Sequence, residues 1–194
     1  MANSYNSPPF VPPTFLNITA ISAQNGLSVL ECWQILPGFT TSSQAGTAGA
    51  SILQLGNVAN MSYSVIPPKF NAGLHNAPTT QYVTSRTSTH SLILTHIPSL
   101  ERWVAFLSGL AHITLPNSTV DAYVPGGKNG FIFAADTAAV SANGHSTNYP
   151  SGSETIALQI PTGGTIPQHN VLHSGPCELA KLKRRNAGAL NDLD

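Results

Sequence analysis

Apolar residues along this chain come in short stretches separated by turn-forming residues. Phe15 to Ile21, Leu27 to Ile35, Ile52 to Leu55 and Met61 to Ile66 are each bounded by Gly, Pro, Asn or Ser, a pattern that predicts strands joined by turns. Within Leu27-Ser-Val-Leu-Glu-Cys-Trp-Gln-Ile35 the alternation is imperfect, which suits a strand covered on both faces, and Thr40 to Ala50 is small and loop-like. In the second half, Trp103-Val-Ala-Phe-Leu-Ser-Gly109 and Leu110-Ala-His-Ile-Thr-Leu-Pro116 predict consecutive strands about a glycine bend. Tyr123-Val-Pro-Gly-Gly127 predicts a turn and Phe131 to Ala135 a strand. A loop from Asp136 to Gly144 follows, and Thr155 to Ile160 is another strand. Helix is expected only at Cys177 to Arg185, where Leu179 and Leu182 lie three apart among charges.

Composition sharpens this picture. Of 194 residues, 41% are apolar and only 8% charged, with 16 Gly and 15 Pro, so Ser, Thr, Asn and Gln must cover the surface of a strand-rich core. The length suits one domain at 15–176, between a Pro-rich arm at 1–14 and a tail at 177–194. Eight basic residues balance eight acidic ones, and Lys181, Lys183, Arg184 and Arg185 cluster in the tail. The body therefore lacks the basic face that a nucleic-acid reader needs, and no apolar run approaches the roughly 20 residues that span a bilayer, so neither nucleic acid nor membrane is expected as a partner. The chain as written shows no export signal, which fits the cytoplasm. The sequons Asn17-Ile-Thr, Asn60-Met-Ser and Asn117-Ser-Thr, with the low charge, fit an extracellular protein instead, and the sequence leaves both open. Cys32 and Cys177 exclude a cysteine metal cluster; they either pair across a long loop or stay as two thiols.

Taken in order, Trp103 to Gly109, His112-Ile-Thr-Leu, Pro125-Gly-Gly, Ala135-Asp136-Thr137 and Gly144-His145 resemble small single-domain cupins, especially fungal ones, over about His75 to Pro161. The resemblance implies an all-β, cupin-like antiparallel jelly-roll barrel with a cavity at one open end, here with a short C-terminal helical tail, and a homodimer formed by sheet packing. The first metal motif of that family departs from its usual pattern: His75 stands alone, Ala77 replaces a second His and Gln81 takes the place of Glu. An internal echo between His75-Asn-Ala-Pro-Thr-Thr-Gln-Tyr-Val83 and His96-Ile-Pro-Ser-Leu-Glu-Arg-Trp-Val104 marks 84–104 as either an insertion, even translated intron sequence, or a genuine extra strand and turn.

On the resemblance, His145 and Asp136 are the candidate catalytic residues, with Asp136 orienting the imidazole or acting as a base. His75, Gln81, Trp103 and Phe133 are candidate substrate contacts, and His75, Gln81 and His145 a candidate metal set for Zn, Fe or Mn. Two imidazoles and an amide form a poor divalent site, so a metal-free pocket for an organic molecule stands beside it. His75 and Gln81 are six apart and would share one face of an extended strand, although Pro78 interrupts it. His112 sits on an alternating strand and could face either way. Ser-His-Asp order, phosphate loops and paired carboxylates are missing from the sequence, which removes support for hydrolase and kinase readings. The implied function is binding or conversion of a small organic molecule in the barrel cavity, by an isomerase, lyase, cyclase or oxygenase. The alternative is a non-catalytic extracellular or ligand-binding protein.

Overall fold

The computed structural model describes residues 13–56, 61–77 and 101–177, and all structural statements below concern these. They form thirteen strands and no helix. In chain order these are β1 (Leu16–Gln24), β2 (Leu27–Ile35), β3 (Thr40–Thr41), β4 (Ser51–Ile52), β5 (Ser62–Ile66), β6 (Phe70–His75) and β7 (Arg102–Phe106). There follow β8 (Leu110–Thr114), β9 (Asp121–Pro125), β10 (Phe131–Ala134), β11 (His145–Tyr149), β12 (Thr155–Pro161) and β13 (His169–Ser174). Seven of them build one sheet in the order β13-β2-β1-β10-β7-β12-β5, four build a second in the order β6-β11-β8-β9, and β3 pairs with β4.

The protein is thus all-β, as composition and pattern indicate. The large sheet is mixed, however, and not wholly antiparallel, because β1 runs parallel to β10. A parallel pair cannot be closed by a tight turn, and here more than a hundred residues intervene, including most of both sheets. The first hairpin is local: Asn25 and Gly26, with φ of 51° and 77°, make the two-residue turn whose twist matches antiparallel strands. At Gly109 the chain leaves the large sheet and enters the small one, so β7 and β8 are consecutive in sequence but belong to different layers.

Alternation sets the layers. On one face of the large sheet, Ile21, Leu30, Phe106, Ile132 and Ala157 pack against Ala111, Ile113, Ala122 and Val124 of the small sheet. On the other face, Ile18, Ala20, Trp33, Ile35, Trp103 and Phe133 form a second cluster covered by Leu53 and Leu55. Covering on both faces explains the imperfect alternation of β2. Trp103 stacks on Phe131 at 5.0 Å between centroids and meets Phe133 edge-on at 4.7 Å. Truncating an aromatic side chain so enclosed typically costs roughly 3–5 kcal/mol.

Most of the segment 84–104 lies outside the described residues, but its last part, Arg102–Val104, belongs to β7. That strand is paired with β10 on one side and β12 on the other, so Arg102–Val104 are integral to the sheet. The helix expected at Cys177 to Arg185 falls, beyond Cys177 itself, outside the described residues, as does the 1–12 part of the arm. Cys32 and Cys177 form a disulfide across 145 residues, and the Cys177 N–H donates to Thr19 Oγ1 at 3.1 Å, fastening the end of the described chain to β1 and β2.

Candidate functional site

The site grows from one register. His75 ends β6, His145 begins β11, and the two are directly opposed in the antiparallel pair. Opposed residues project to the same face, and the rings stand 4.5 Å apart between centroids, tilted by 59°. Gly144 allows this approach, since a Cβ there would overlap the His75 backbone carbonyl, and its φ of +68° is one that glycine adopts freely.

Asp136 follows β10 in the large sheet and is fully buried. Its Oδ2 accepts from His145 Nδ1 at 2.7 Å and from Ser28 Oγ at 2.6 Å. Ser28 Oγ is in turn 2.8 Å from Ser141 Oγ, which accepts the Gly144 N–H at 3.1 Å. If the carboxylate is ionised it can only accept, so Ser28 spends its proton on Asp136 and Ser141 donates to Ser28. Asn76 closes the cluster, donating through Nδ2 to the carbonyls of Asp136 at 3.1 Å and Ser141 at 2.9 Å. These bonds join the small sheet's edge to the turn region of the large sheet, where the Ala142 N–H also reaches the Gly26 carbonyl.

The same bonds assign the ring protons. His75 Nδ1 lies 2.9 Å from the Gly73 carbonyl, an acceptor, so Nδ1 carries the hydrogen. The carboxylate of Asp136 imposes the same tautomer on His145. With Nδ1 carrying the hydrogen, the neutral form of each imidazole presents Nε2 as a hydrogen-bond acceptor and base. Desolvation holds the His75 pKa below its ordinary value, and repulsion from His145 adds to this, while the Gly73 carbonyl and Asp136 pull the other way. A neutral His75 is the form the site favours.

Of the residues singled out from sequence, the structure brings together His75, Asp136 and His145. Gln81 lies outside the described residues. Trp103 and Phe133 are 1% and 0% exposed in the second core cluster, on the face of the large sheet turned away from the small one. They act there as packing. His112 projects outward, stacked on Tyr123 at 4.0 Å and bonded through Nε2 to Asp121 at 3.0 Å. His169 stacks on Trp33 at 3.6 Å. Ser28, Asn76 and Ser141 complete the site but carry no sequence signal beyond being small polar residues beside turns.

For a divalent metal the described donors fall short. Among the described residues no group of three His, Cys, Asp or Glu side chains is placed to hold a metal ion, and the Asp136 oxygen that meets His145 is engaged by Ser28 and by the His145 Nδ1–H. Two imidazole nitrogens without a charge-neutralising carboxylate do not fit Zn, Fe or Mn.

The described structure contains cavities away from the histidine pair. One, of about 320 Å³, lies between Ile35, Leu55, Thr162 and Ile166. A second, of about 360 Å³, is walled by Gln24, Ser28, Glu31, Leu115, Asn117 and Ser174. Neither is lined by His75 or His145, but Ser28 joins the second cavity to the histidine pair through Asp136. Within its wall, buried Glu31 is satisfied by Ser22 at 2.7 Å, Trp33 Nε1 at 2.7 Å and Gln24 Nε2 at 2.6 Å, which marks a structural carboxylate. No protein-family model matches the chain, and no curated protein matches it in sequence.

Proposed function

We propose that the protein binds a small organic molecule at the His75 and His145 pair and that His145 moves a proton on it. One observation carries this: a histidine held through Nδ1 by a buried carboxylate at 2.7 Å, with a second imidazole opposed to it on the same face. His145 Nε2 would take a proton from a ligand carbon or hydroxyl, and the imidazolium so formed would be stabilised by Asp136. Returning the proton to a different atom gives isomerisation; expelling a neighbouring group instead gives elimination. His75, kept neutral by burial, would accept a hydrogen bond from a ligand hydroxyl and orient it. The cupin-like order of motifs supports the same class of small-molecule chemistry, since such barrels host isomerases and lyases, although fold alone selects none of them.

A second reading, ligand binding without turnover by an extracellular protein, is favoured by the Cys32 to Cys177 disulfide, because such bonds persist in oxidising compartments. Metal analysis of the purified protein beside His145→Ala separates these readings. A metal-free protein that loses ligand binding and turnover together in the variant supports proton transfer at this pair. Binding that survives the substitution removes His145 from the site, and metal that disappears with it establishes a metal centre completed from outside the described residues.

A further inference from the structure

Three sequons recur in a chain whose candidate site uses none of them, and the structure separates them. Asn117 sits in the turn between β8 and β9, where Pro116 and Asn117 are the central residues and the Ser118 N–H meets the Leu115 carbonyl at 3.4 Å. Asn117, Ser118 and Thr119 are all exposed. By contrast, Asn17-Ile18-Thr19 lies within β1, with Thr19 4% exposed and its hydroxyl occupied by the Cys177 N–H. Asn60 falls outside the described residues.

We infer that Asn117 is an N-glycosylation site and that its glycan stands over the mouth of the cavity walled by Ser28 and Glu31. Two independent observations support this. The disulfide favours an oxidising compartment, because a bridge between Cys32 and Cys177 persists where thiols are oxidised, and the secretory pathway, where Asn-X-Thr acceptors are modified, is one of these. The turn fixes accessibility, because a bulky sugar on Asn117 projects from a loop tip and displaces no packed side chain. Asn117 lines the cavity together with Leu27 and Val120, which are 38% and 42% exposed, so a glycan there would cover an apolar rim that is otherwise open to solvent.

The transfer balances simply. The side-chain amide nitrogen of Asn117 attacks the anomeric carbon of a lipid-diphosphate-linked oligosaccharide, forming the C–N bond as the C–O bond to the diphosphate breaks. The amide gives up one proton, and the lipid diphosphate is the leaving group. The hydroxyl of Thr119, exposed and two residues on, is the recognition element that the motif requires.

The test is expression of the full chain, directed into the secretory pathway of a eukaryotic host, followed by peptide mapping and treatment with peptide N-glycosidase. The Asn117 peptide is expected to carry a glycan, and Asn117→Gln and Thr119→Ala should each lower the mass by one glycan; Thr119→Ala keeps the asparagine, so loss in both variants rules out a folding artefact of one. Enzymatic removal from the folded protein should raise the fluorescence of an apolar dye that binds exposed hydrophobic surface. An unmodified Asn117 peptide in secreted, disulfide-bonded protein, or an unchanged mass in both variants, overturns the assignment. Unchanged dye fluorescence after deglycosylation overturns the covering role.

Discussion

Gly144 lies against the backbone carbonyl of His75, closer than any side chain would permit, and this contact brings β11 onto β6 so that His145 faces His75. Gly144→Ala should therefore uncouple the pair. The left-handed conformation alone costs about 1–2 kcal/mol for a residue with a Cβ, and the overlap with backbone adds to it. The expected result is a lowered denaturation midpoint together with changed His75 and His145 imidazole resonances. A fully stable variant with unchanged resonances would show that the close approach is not needed.

The Asp136 carboxylate joins the two sheets through its bonds to Ser28 and His145. Asp136→Ala leaves the His145 Nδ1–H buried without its acceptor, at roughly 1–3 kcal/mol, while the Ser28 hydroxyl can turn to Ser141 Oγ, 2.8 Å away. Asp136→Asn keeps an oxygen acceptor but loses the charge, so it should retain most of the stability and lose most of the proton-transfer rate. Urea titration reads the first effect and turnover the second.

All-β architecture was legible from short apolar runs bounded by turn residues, and low charge pointed the same way. Sheet membership was not. Trp103-Val-Ala-Phe and Leu110-Ala-His-Ile look like neighbours about Gly109, yet they enter different layers. Nor does local pattern reveal that β1 lies parallel to β10, since that pairing is made by residues more than a hundred positions apart. Asn25-Gly26 was a strong hairpin signal that a scan of apolar runs alone passes over. At the site, His75, Asp136 and His145 were singled out by the family resemblance of the motifs around them, since a lone histidine on a strand carries little signal of its own. Ser28, Asn76 and Ser141 were not, because a serine or asparagine near a turn is ordinary and only the fold shows what it bonds. Trp103 and Phe133 mislead in the opposite sense, because an aromatic on a buried strand has the same sequence signature whether it lines a cavity or fills a core.

Stability should fall with acid through His75. Its folded pKa is lowered from 6.5 by desolvation and by His145, against the Gly73 carbonyl and Asp136, so the unfolded chain takes up its proton first. As pH falls below 6.5 the unfolded state binds more protons and stability drops, until the folded-state pKa is reached and the loss levels off. Denaturant melts of the wild type and His75→Asn across this window should show a shallower slope for the variant. Equal slopes would assign the acid sensitivity elsewhere.

The disulfide closes 145 residues of chain. In the loop-entropy model this is worth at most about 5 kcal/mol, large beside the usual margin of a single domain. Reduction, or Cys32→Ser with Cys177→Ser, should lower the urea midpoint markedly without abolishing the sheet signature in circular dichroism. An unchanged midpoint would show that the bridge adds nothing.

The most direct measurement is imidazole ¹⁵N NMR on histidine-labelled protein, screened against a library of small hydroxylated and carbonyl-bearing organic molecules. At a pH above the imidazole range, His75 and His145 in the free protein should each carry the hydrogen on Nδ1 with an unprotonated Nε2, and a binding molecule should shift both Nε2 signals in the wild type and leave the His75 signal unmoved in His145→Ala. Nδ1 signals without a proton, or ligands that bind while leaving both Nε2 signals unmoved, would contradict the assignment of this pair as the functional site.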